Sequence, residues 1–271
     1  MDNIYILLPV HNRIETTRKF IECLTRQTYK NYHLVLIDDG STDGTAEMVQ
    51  MQISSVTIIK GKGNWWWAGS LQQGYDWLQS NSLSLSDVVL IINDDTEFDS
   101  NFLELGISLL QDRSLLLAEC HDKYTDEFID AGVFIDWAKL IIVSSDKPNC
   151  LSTRGLFLRV GDMFKIGGFH PKLLPHYGSD YEYTMRAHRL GMKLQIHPTL
   201  KLWVDEKTTG YHNFSIWKLF SKKSAFSPIY WTSFLFLACP PKWIPLNIYR
   251  LWIEKPFKIL KRKYKAKKSN V

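Results

Sequence analysis

Four short apolar runs, each closing on a polar or acidic cluster and each separated from the next by helical spacing, constrain this chain more than any other feature. Ile4 to Val10 is followed by Glu15 to Arg26, where Phe20, Ile21 and Leu24 recur at helical intervals. His33 to Ile37 leads into Asp38-Asp39-Gly40-Ser41-Thr42-Asp43-Gly44, a turn whose Ser41, Thr42 or Asp43 can cap a helix through Val49. Val56 to Lys60, a helix over Leu71 to Leu78 and a run from Asp87 to Ile92 complete the series. The unbroken Val88-Val89-Leu90-Ile91-Ile92 suits a strand buried on both faces. Strand and helix in alternation predict a parallel α/β sheet with right-handed connections, and ligands outside the carboxyl ends of its strands. Pro9 to Arg13, Asp38 to Ser41 and Asn93 to Asp95 all fall there.

Beyond Asp95 the alternation loosens. The spacing predicts a helix over Asn101 to Leu110, a strand over Leu115 to Cys120 and a hairpin over Ile129 to Val143, so the sheet becomes mixed. A loop from Gly167 to Gly178 precedes a helix from about Asp180 to Leu190, which Gly191 ends. From Ile216 onward two or three helices are punctuated by Pro228, Pro240, Pro241 and Pro245. The 271 residues suffice for one large domain or two small ones, and 45% hydrophobic with 23% charged residues excludes a disordered or collagenous chain.

Cys23, Cys120, Cys150 and Cys239 include no C-x-x-C pair, which argues against a zinc site or disulfide framework and for a reducing compartment, the cytosol. The opening Met1-Asp2-Asn3 enters a strand-like run directly, so no secretory leader is expected. The longest apolar stretch, Ile229 to Cys239, has 11 residues, short of the roughly 20 a membrane span needs. The net charge of +5 conceals an asymmetry: Lys255, Lys258, Lys261, Arg262, Lys263, Lys265, Lys267 and Lys268 are eight cations with no acid among them, and without them the chain is acidic. Aromatics beside this tail, Trp231, Phe234, Phe236, Trp243, Tyr249 and Trp252, favour an anionic membrane surface, with nucleic acid not expected as a partner. A solvated helix end with a frayed terminus fits the same residues.

The strand-end residues narrow the chemistry. The first turn reads Pro9-Val10-His11-Asn12-Arg13 where a dinucleotide dehydrogenase would carry G-x-G-x-x-G, and no G-x-x-x-x-G-K-[ST] occurs. Asn93-Asp94-Asp95-Thr96 presents hard oxygen donors suited to Mg²⁺ or Mn²⁺, ions that usually complete their shell with substrate phosphates. Adjacent acids after a strand also serve as turn or capping devices. Asp38 and Asp39 suit either a plain turn or hydrogen bonds from a nucleobase or ribose, and the two roles are compatible.

The set ILLPVHNR, LIDDGSTDGT, GNWWWAGSLQQG, LIINDDTEF and GSDYEYTMRAHRLG, in that order over about residues 4 to 212, resembles the family 2 glycosyltransferases of the GT-A fold. The resemblance implies a Rossmann-like mixed sheet, mainly parallel and flanked by helices. It implies a GT-A domain over 1–212, with a nucleotide-binding half to about 98 and an acceptor half from about 99. Residues 213–271 form a helical, basic and aromatic extension.

By the same resemblance the nucleotide contacts are Pro9, His11, Asn12, Arg13, Asp38, Asp39, Ser41, Asn64 and Asp94. Asn93 and Asp95 match the metal site, with Asn replacing the first acid and Asp205 a further candidate ligand or a loop acid. Trp66, Trp67, Ala68, Gly69 and His176 would line the sugar or acceptor cleft. Three consecutive tryptophans cannot all face one way, so at least one belongs to packing. Asp180 occupies the place of the catalytic base, with Glu182 and Arg186 beside it as an alternative acid and an orienting group. Read alone, Asp180 is equally a helix N-cap and Glu182 a complement to the helix dipole.

The resemblance thus implies an inverting, metal-dependent transfer of a single sugar from a nucleotide diphosphate donor to a hydroxyl of a glycan or lipid-linked acceptor. The absence of a Gln-x-x-Arg-Trp motif points to non-processive action. The implied setting is bacterial surface polysaccharide assembly, such as capsule or lipopolysaccharide, on the inner face of the cell membrane. The other class of reading is a catalytically inactive GT-A-like binding or scaffold module, since Asn93, Ser179 and Asp205 depart from the family's usual residues.

Overall fold

The computed structural model describes residues 2–205, 224 and 227–254. His212 and the basic tail from Lys255 lie outside the described residues, as does the 212/213 boundary expected between domain and extension.

The first half follows the expected alternation: β1 (Ile4–Val10), α1 (Ile14–Thr25), β2 (Tyr32–Asp38), α2 (Thr45–Gln52), β3 (Val56–Lys60), α3 (Trp66–Ser80) and β4 (Val88–Ile91). The four strands are parallel in the order β3-β2-β1-β4. Period-two alternation splits their apolar side chains between two cores. Ile4, Ile6, Leu8, Leu34, Leu36, Val88 and Leu90 pack on one face, and Leu7, Val35, Ile37, Val89 and Ile91 on the other. Gly74 lets α3 approach that second face closely, since a Cβ there would lie 2.8 Å from Ile37 Cδ1 and 3.1 Å from Leu7 Cδ1.

The second half is mixed, as its weaker periodicity implied. After β5 (Thr96–Glu97) and α4 (Phe102–Leu109) come β6 (Ser114–Asp122), β7 (Phe128–Asp130), β8 (Gly132–Asp136), β9 (Ile141–Ser144), β10 (Cys150–Leu151) and β11 (Leu156–Arg159). Then follow α5 (Val160–Ile166), α6 (Ser179–Arg189) and β12 (Lys193–Val204). β11 lies antiparallel between β4 and β6, and β12 is parallel to β6, so one sheet runs through the whole molecule. β10, β8 and β9 form a small antiparallel sheet of their own.

Three elements differ from the sequence expectation. β11 and α5 were not expected, because their short LFLR and VGDMFKI segments carry no clear period. α3 begins at Trp66, five residues before the expected Leu71, for a tertiary reason given below. In the extension, α7 (Pro228–Ala238) starts on a proline at its first position, and α8 (Ile244–Tyr249) follows a short 3₁₀ turn. Phe234 and Ala238 pack with Val133, Ile135, Cys150, Leu174 and Met185, so the described extension shares a core with the small sheet and α6. No helix among the described residues is long and apolar enough to cross a membrane.

Candidate active site

The order β2-β1-β4 sets three carboxyl ends side by side, and side chains tie their loops together. Pro9 sits buried in β1 opposite Ile37 of β2. His11 Nδ1 lies 2.7 Å from the Asp39 carbonyl, which fixes the proton on Nδ1. Asn12 takes a φ of +51°; its N–H donates to Ser41 Oγ at 2.9 Å and its Oδ1 accepts the Thr42 N–H at 2.8 Å. The buried Asp38 closes this turn by accepting the Ser41 N–H at 2.8 Å. The expected nucleotide residues of β1 and β2 therefore form one connected rim.

Asp39 explains the early start of α3. Its Oδ1 accepts the N–H groups of Gly63 (2.8 Å) and Asn64 (3.1 Å), and its Oδ2 those of Trp65 (2.8 Å) and Trp66 (3.2 Å). All four lone-pair positions of a buried carboxylate are thus spent on the orphan donors of a helix entrance. Asp39, expected to reach a nucleotide, instead seats the Gly63–Trp66 segment against the β2 end. Asn64 is held there by its backbone, with its side chain exposed.

The segment so held displays the tryptophans differently from the expectation. Trp66 adopts a φ of +59°, rare for a bulky residue, and meets His176 edge-to-face at 6.3 Å between ring centroids. The Trp67 indole donates to Thr153 Oγ1 at 3.2 Å while the ring packs on the second core. Ala68 and Gly69 are buried; the Ala68 N–H bonds to the Pro175 carbonyl at 3.0 Å, and Gly69 faces Trp65 and Pro171. Those two residues serve helix packing rather than lining a cleft, whereas Trp66 and His176 contact each other through their ring edges.

After β4, Asp94 is buried and accepts the Thr17 hydroxyl at 2.9 Å, with Arg13 Nε 3.0 Å from the same oxygen. Burial pushes its carboxyl up to about 6, with Arg13 opposing and Asp95 adding to the rise. Arg13 Nη2 also donates to Asp95 Oδ2 at 3.3 Å. The other Asp95 oxygen and Asn93 Oδ1 are buried without a hydrogen-bond partner. Two orphaned oxygens within three residues cost free energy that a cation would recover, and both are hard donors, so the pair fits Mg²⁺ or Mn²⁺. Among the described residues no group of three His, Cys, Asp or Glu side chains forms a fuller metal cage. Asp205 accepts the Tyr124 hydroxyl at 3.1 Å, and its charge also acts on Lys123. The further-ligand role considered for it is thus not met in this arrangement.

Across from this loop, Gly178 at φ +81° turns the chain into α6 and sets Asp180 in its first turn. Burial raises the Asp180 carboxyl to about 6, with backbone N–H bonds opposing and the Asp130 charge adding. Asp130, at the end of β7, is likewise raised to about 6, chiefly by desolvation. Arg154, from the β10–β11 connection, acts electrostatically on both, and its guanidinium donates to Cys120 Sγ at 3.4 Å. Desolvation alone would lower it, but the charges of Asp95 and Asp130 join Cys120 in holding it above its ordinary range. Arg154 acts on Asp180 as well. Carboxylates from the β4 loop, β7 and α6 are therefore coupled electrostatically to one half-buried cation. Sequence reasoning missed Arg154 and Asp130, because no local pattern marks either.

Glu182 points elsewhere, as two residues of helix dictate. Both its oxygens are held by Arg186, Nε at 3.0 Å and Nη2 at 2.9 Å, while Arg186 Nη1 donates to the Ile166 carbonyl at 2.8 Å. This buried bidentate pair locks α6 to the end of α5. It leaves Glu182 unable to serve as the alternative acid, and Arg186 unable to touch phosphate.

Residues 5–131 match the family model described as Glycosyl transferase family 2. That stretch, just under half of the chain, is a family 2 glycosyltransferase region. This glycosyltransferase is 23% identical over 273 residues to glycosyltransferase AglE of Haloferax volcanii, covering 91% of this chain and 85% of that protein. It is 24% identical over 209 residues to the amylovoran biosynthesis glycosyltransferase AmsB of Erwinia amylovora, covering 69% and 64%. Its fold resembles that of the Pyrobaculum calidifontis mannosyltransferase PcManGT solved with GDP-Man and Mn²⁺, with a TM-score of 0.62 at 15% identity over 94% of this chain and 71% of that one. GalNAc-T7 with UDP, GalNAc and Mn²⁺ gives a TM-score of 0.61 at 15% identity, over 75% and 44%. The glycosyltransferase fold is GT-A.

Proposed function

We propose that this glycosyltransferase moves one sugar, with inversion, from a nucleotide diphosphate sugar to a hydroxyl of a glycan or lipid-linked acceptor, from the inner face of the cell membrane. The observation that carries the reading is the electrostatic coupling of the half-buried Arg154 guanidinium to Asp95, Asp130 and Asp180, beside the two partnerless oxygens of Asn93 and Asp95. That arrangement sets a carboxylate suited to a cation and a candidate base in one electrostatic neighbourhood. The rim of His11, Asn12, Asp38 and Ser41 supplies the nucleotide end, and Arg13 orients Asp94 and Asp95 below it.

Asp180 is the base. An acceptor hydroxyl is a poor nucleophile near neutral pH, so its proton passes to the Asp180 carboxylate as oxygen bonds to C1 and the C1–O bond to the diphosphate breaks. A carboxyl raised to about 6 is still ionised at pH 7, yet more basic than an ordinary aspartate. Mg²⁺ or Mn²⁺ held by Asp95 and Asn93 would offset charge on the departing diphosphate. Trp66 and His176 offer a ring edge against which a sugar can pack. The place of AmsB in amylovoran biosynthesis and the GDP-Man bound by PcManGT support a surface-polysaccharide setting and a nucleotide-sugar donor.

The test is to incubate the protein with uridine, guanosine and deoxythymidine diphosphate sugars, with and without Mn²⁺, and measure nucleoside diphosphate release. Cation-dependent release with at least one donor is expected. Nucleotide binding with no release under any pairing would favour the scaffold reading instead.

A further inference from the structure

Helix α7 lacks the polar face that a surface helix ordinarily needs. Its sequence, PIYWTSFLFLA, is apolar all round but for Thr232 and Ser233. One face is accounted for: Phe234, Leu235 and Ala238 are buried against the small sheet and the rest of the extension. The opposite face, which also carries Thr232 and Ser233, sets large apolar side chains in solvent. Ile229 and Phe236, two turns apart, are 49% and 65% exposed, and Thr232 lies between them on the same stripe. Trp252 extends this stripe, because its indole donates to Thr232 Oγ1 at 2.8 Å while its ring remains 45% exposed. On the neighbouring turns, Leu246, Tyr249 and Ile253 follow at intervals of three and four and are exposed too.

Charge says what covers this ridge. Residues 228–254 contain one acid, Glu254, which pairs with Arg250 at 3.8 Å, and Lys242 lies over the Trp243 ring at 5.5 Å. The next seventeen residues bring eight cations and no acid. A protein partner has no need of an unrelieved run of lysines beside an aromatic ridge. The headgroup layer of an anionic bilayer matches both, taking apolar rings at the acyl boundary and lysines at the phosphates.

We propose that the outer face of α7 and the turns through Ile253 form a membrane-docking ridge that seats in the interfacial layer of an anionic bilayer. The ridge is coupled to the site. Phe234 of α7 packs at Gly178, where a Cβ would lie 3.5 Å from its ring, and Arg189 of α6 donates to the Leu237 and Ala238 carbonyls at 3.0 and 3.3 Å. α7 is thereby fixed to both ends of the helix that carries Asp180 in its first turn. Docking through this ridge presents the base at the membrane surface, where a lipid-linked acceptor carries its sugar; that consequence rests on the proposed function, whereas the docking does not.

The experiment is co-sedimentation of the full-length protein with vesicles of phosphatidylcholine alone or with about 30% phosphatidylglycerol. The parent protein should bind the anionic vesicles, and the triple variant Ile229→Ser, Phe236→Ser, Ile253→Ser should bind at least about tenfold more weakly, as loss of interfacial apolar area requires. Its melting temperature should equal the parent's, because the three side chains are exposed. Quenching of tryptophan fluorescence by lipids brominated along the acyl chain should occur with the parent and fall in the variant. Unchanged vesicle binding by the folded variant would overturn the ridge in favour of the tail alone. Failure of the parent to bind would overturn docking altogether. A dimer that the triple substitution dissociates, with no vesicle binding, would assign the face to a second copy and equally overturn it. Vesicle binding is read without any donor, so a failure of the transferase reading appears separately as absent nucleotide release.

Discussion

At the scale of single residues the site stores free energy against its own stability. Asp180 is raised to about 6 from an ordinary 3.8, mainly by desolvation. Between pH 4 and 6 the folded state therefore holds a proton that the unfolded state has lost, so this group's contribution to stability falls as pH rises across that window and stays unfavourable above it. Asp180→Asn keeps the shape and the backbone cap but removes the buried charge. It should stabilise the protein at pH 7 by about 1–3 kcal/mol while lowering turnover by about 10²- to 10⁴-fold. Paired melting curves and nucleotide-release rates check both; a variant less stable than the parent would remove the idea that Asp180 is a costly functional group. The pH profile gives a second check, because turnover should fall as pH drops through about 6. Arg154→Gln withdraws a cation that favours ionised Asp180, so the limb should move to higher pH. Asp130→Asn withdraws a like charge, so the limb should move lower. Shifts of the same sign in both variants would contradict the shared neighbourhood.

At the scale of elements, the first α/β units were legible in the sequence because strand and helix periods contrast sharply there and because one apolar run is buried on both faces. The entrance to α3 was not legible, since its cap comes from Asp39, some 24 to 27 residues upstream in sequence, rather than from a local Ser or Asp. For the same reason Ala68 and Gly69 read as cleft residues but pack against the loop before α6. Asp180 was singled out by its motif, whereas Arg154 and Asp130 enter the proposed site only when β7, the β10–β11 connection and α6 meet. Asp39→Ala should strand four helix-entrance donors, costing about 2–3 kcal/mol and weakening nucleotide binding together. Denaturant unfolding and nucleotide titration on one preparation test this, and loss of binding with no loss of stability would mean that Asp39 contacts the nucleotide directly.

At the scale of the whole molecule, the continuous sheet from β3 to β5 carries the rim proposed for the nucleotide and the helix of the proposed base on one framework. The described extension is joined to that framework through Phe234, which lies fully buried among Trp137, Trp231 and the small sheet. Phe234→Ala should therefore cost about 3–5 kcal/mol and lower the single unfolding transition rather than release a second one. Calorimetry that resolved an independent C-terminal transition would separate the extension from the catalytic body. The most direct measurement of the central claim is diffraction from crystals grown with a nucleoside diphosphate and Mn²⁺, using the anomalous signal of the metal. The account predicts manganese bound to Asp95 and Asn93, with the terminal phosphate lying between it and Asp180. Manganese bound elsewhere, or a nucleotide seated away from Asp180, would contradict it.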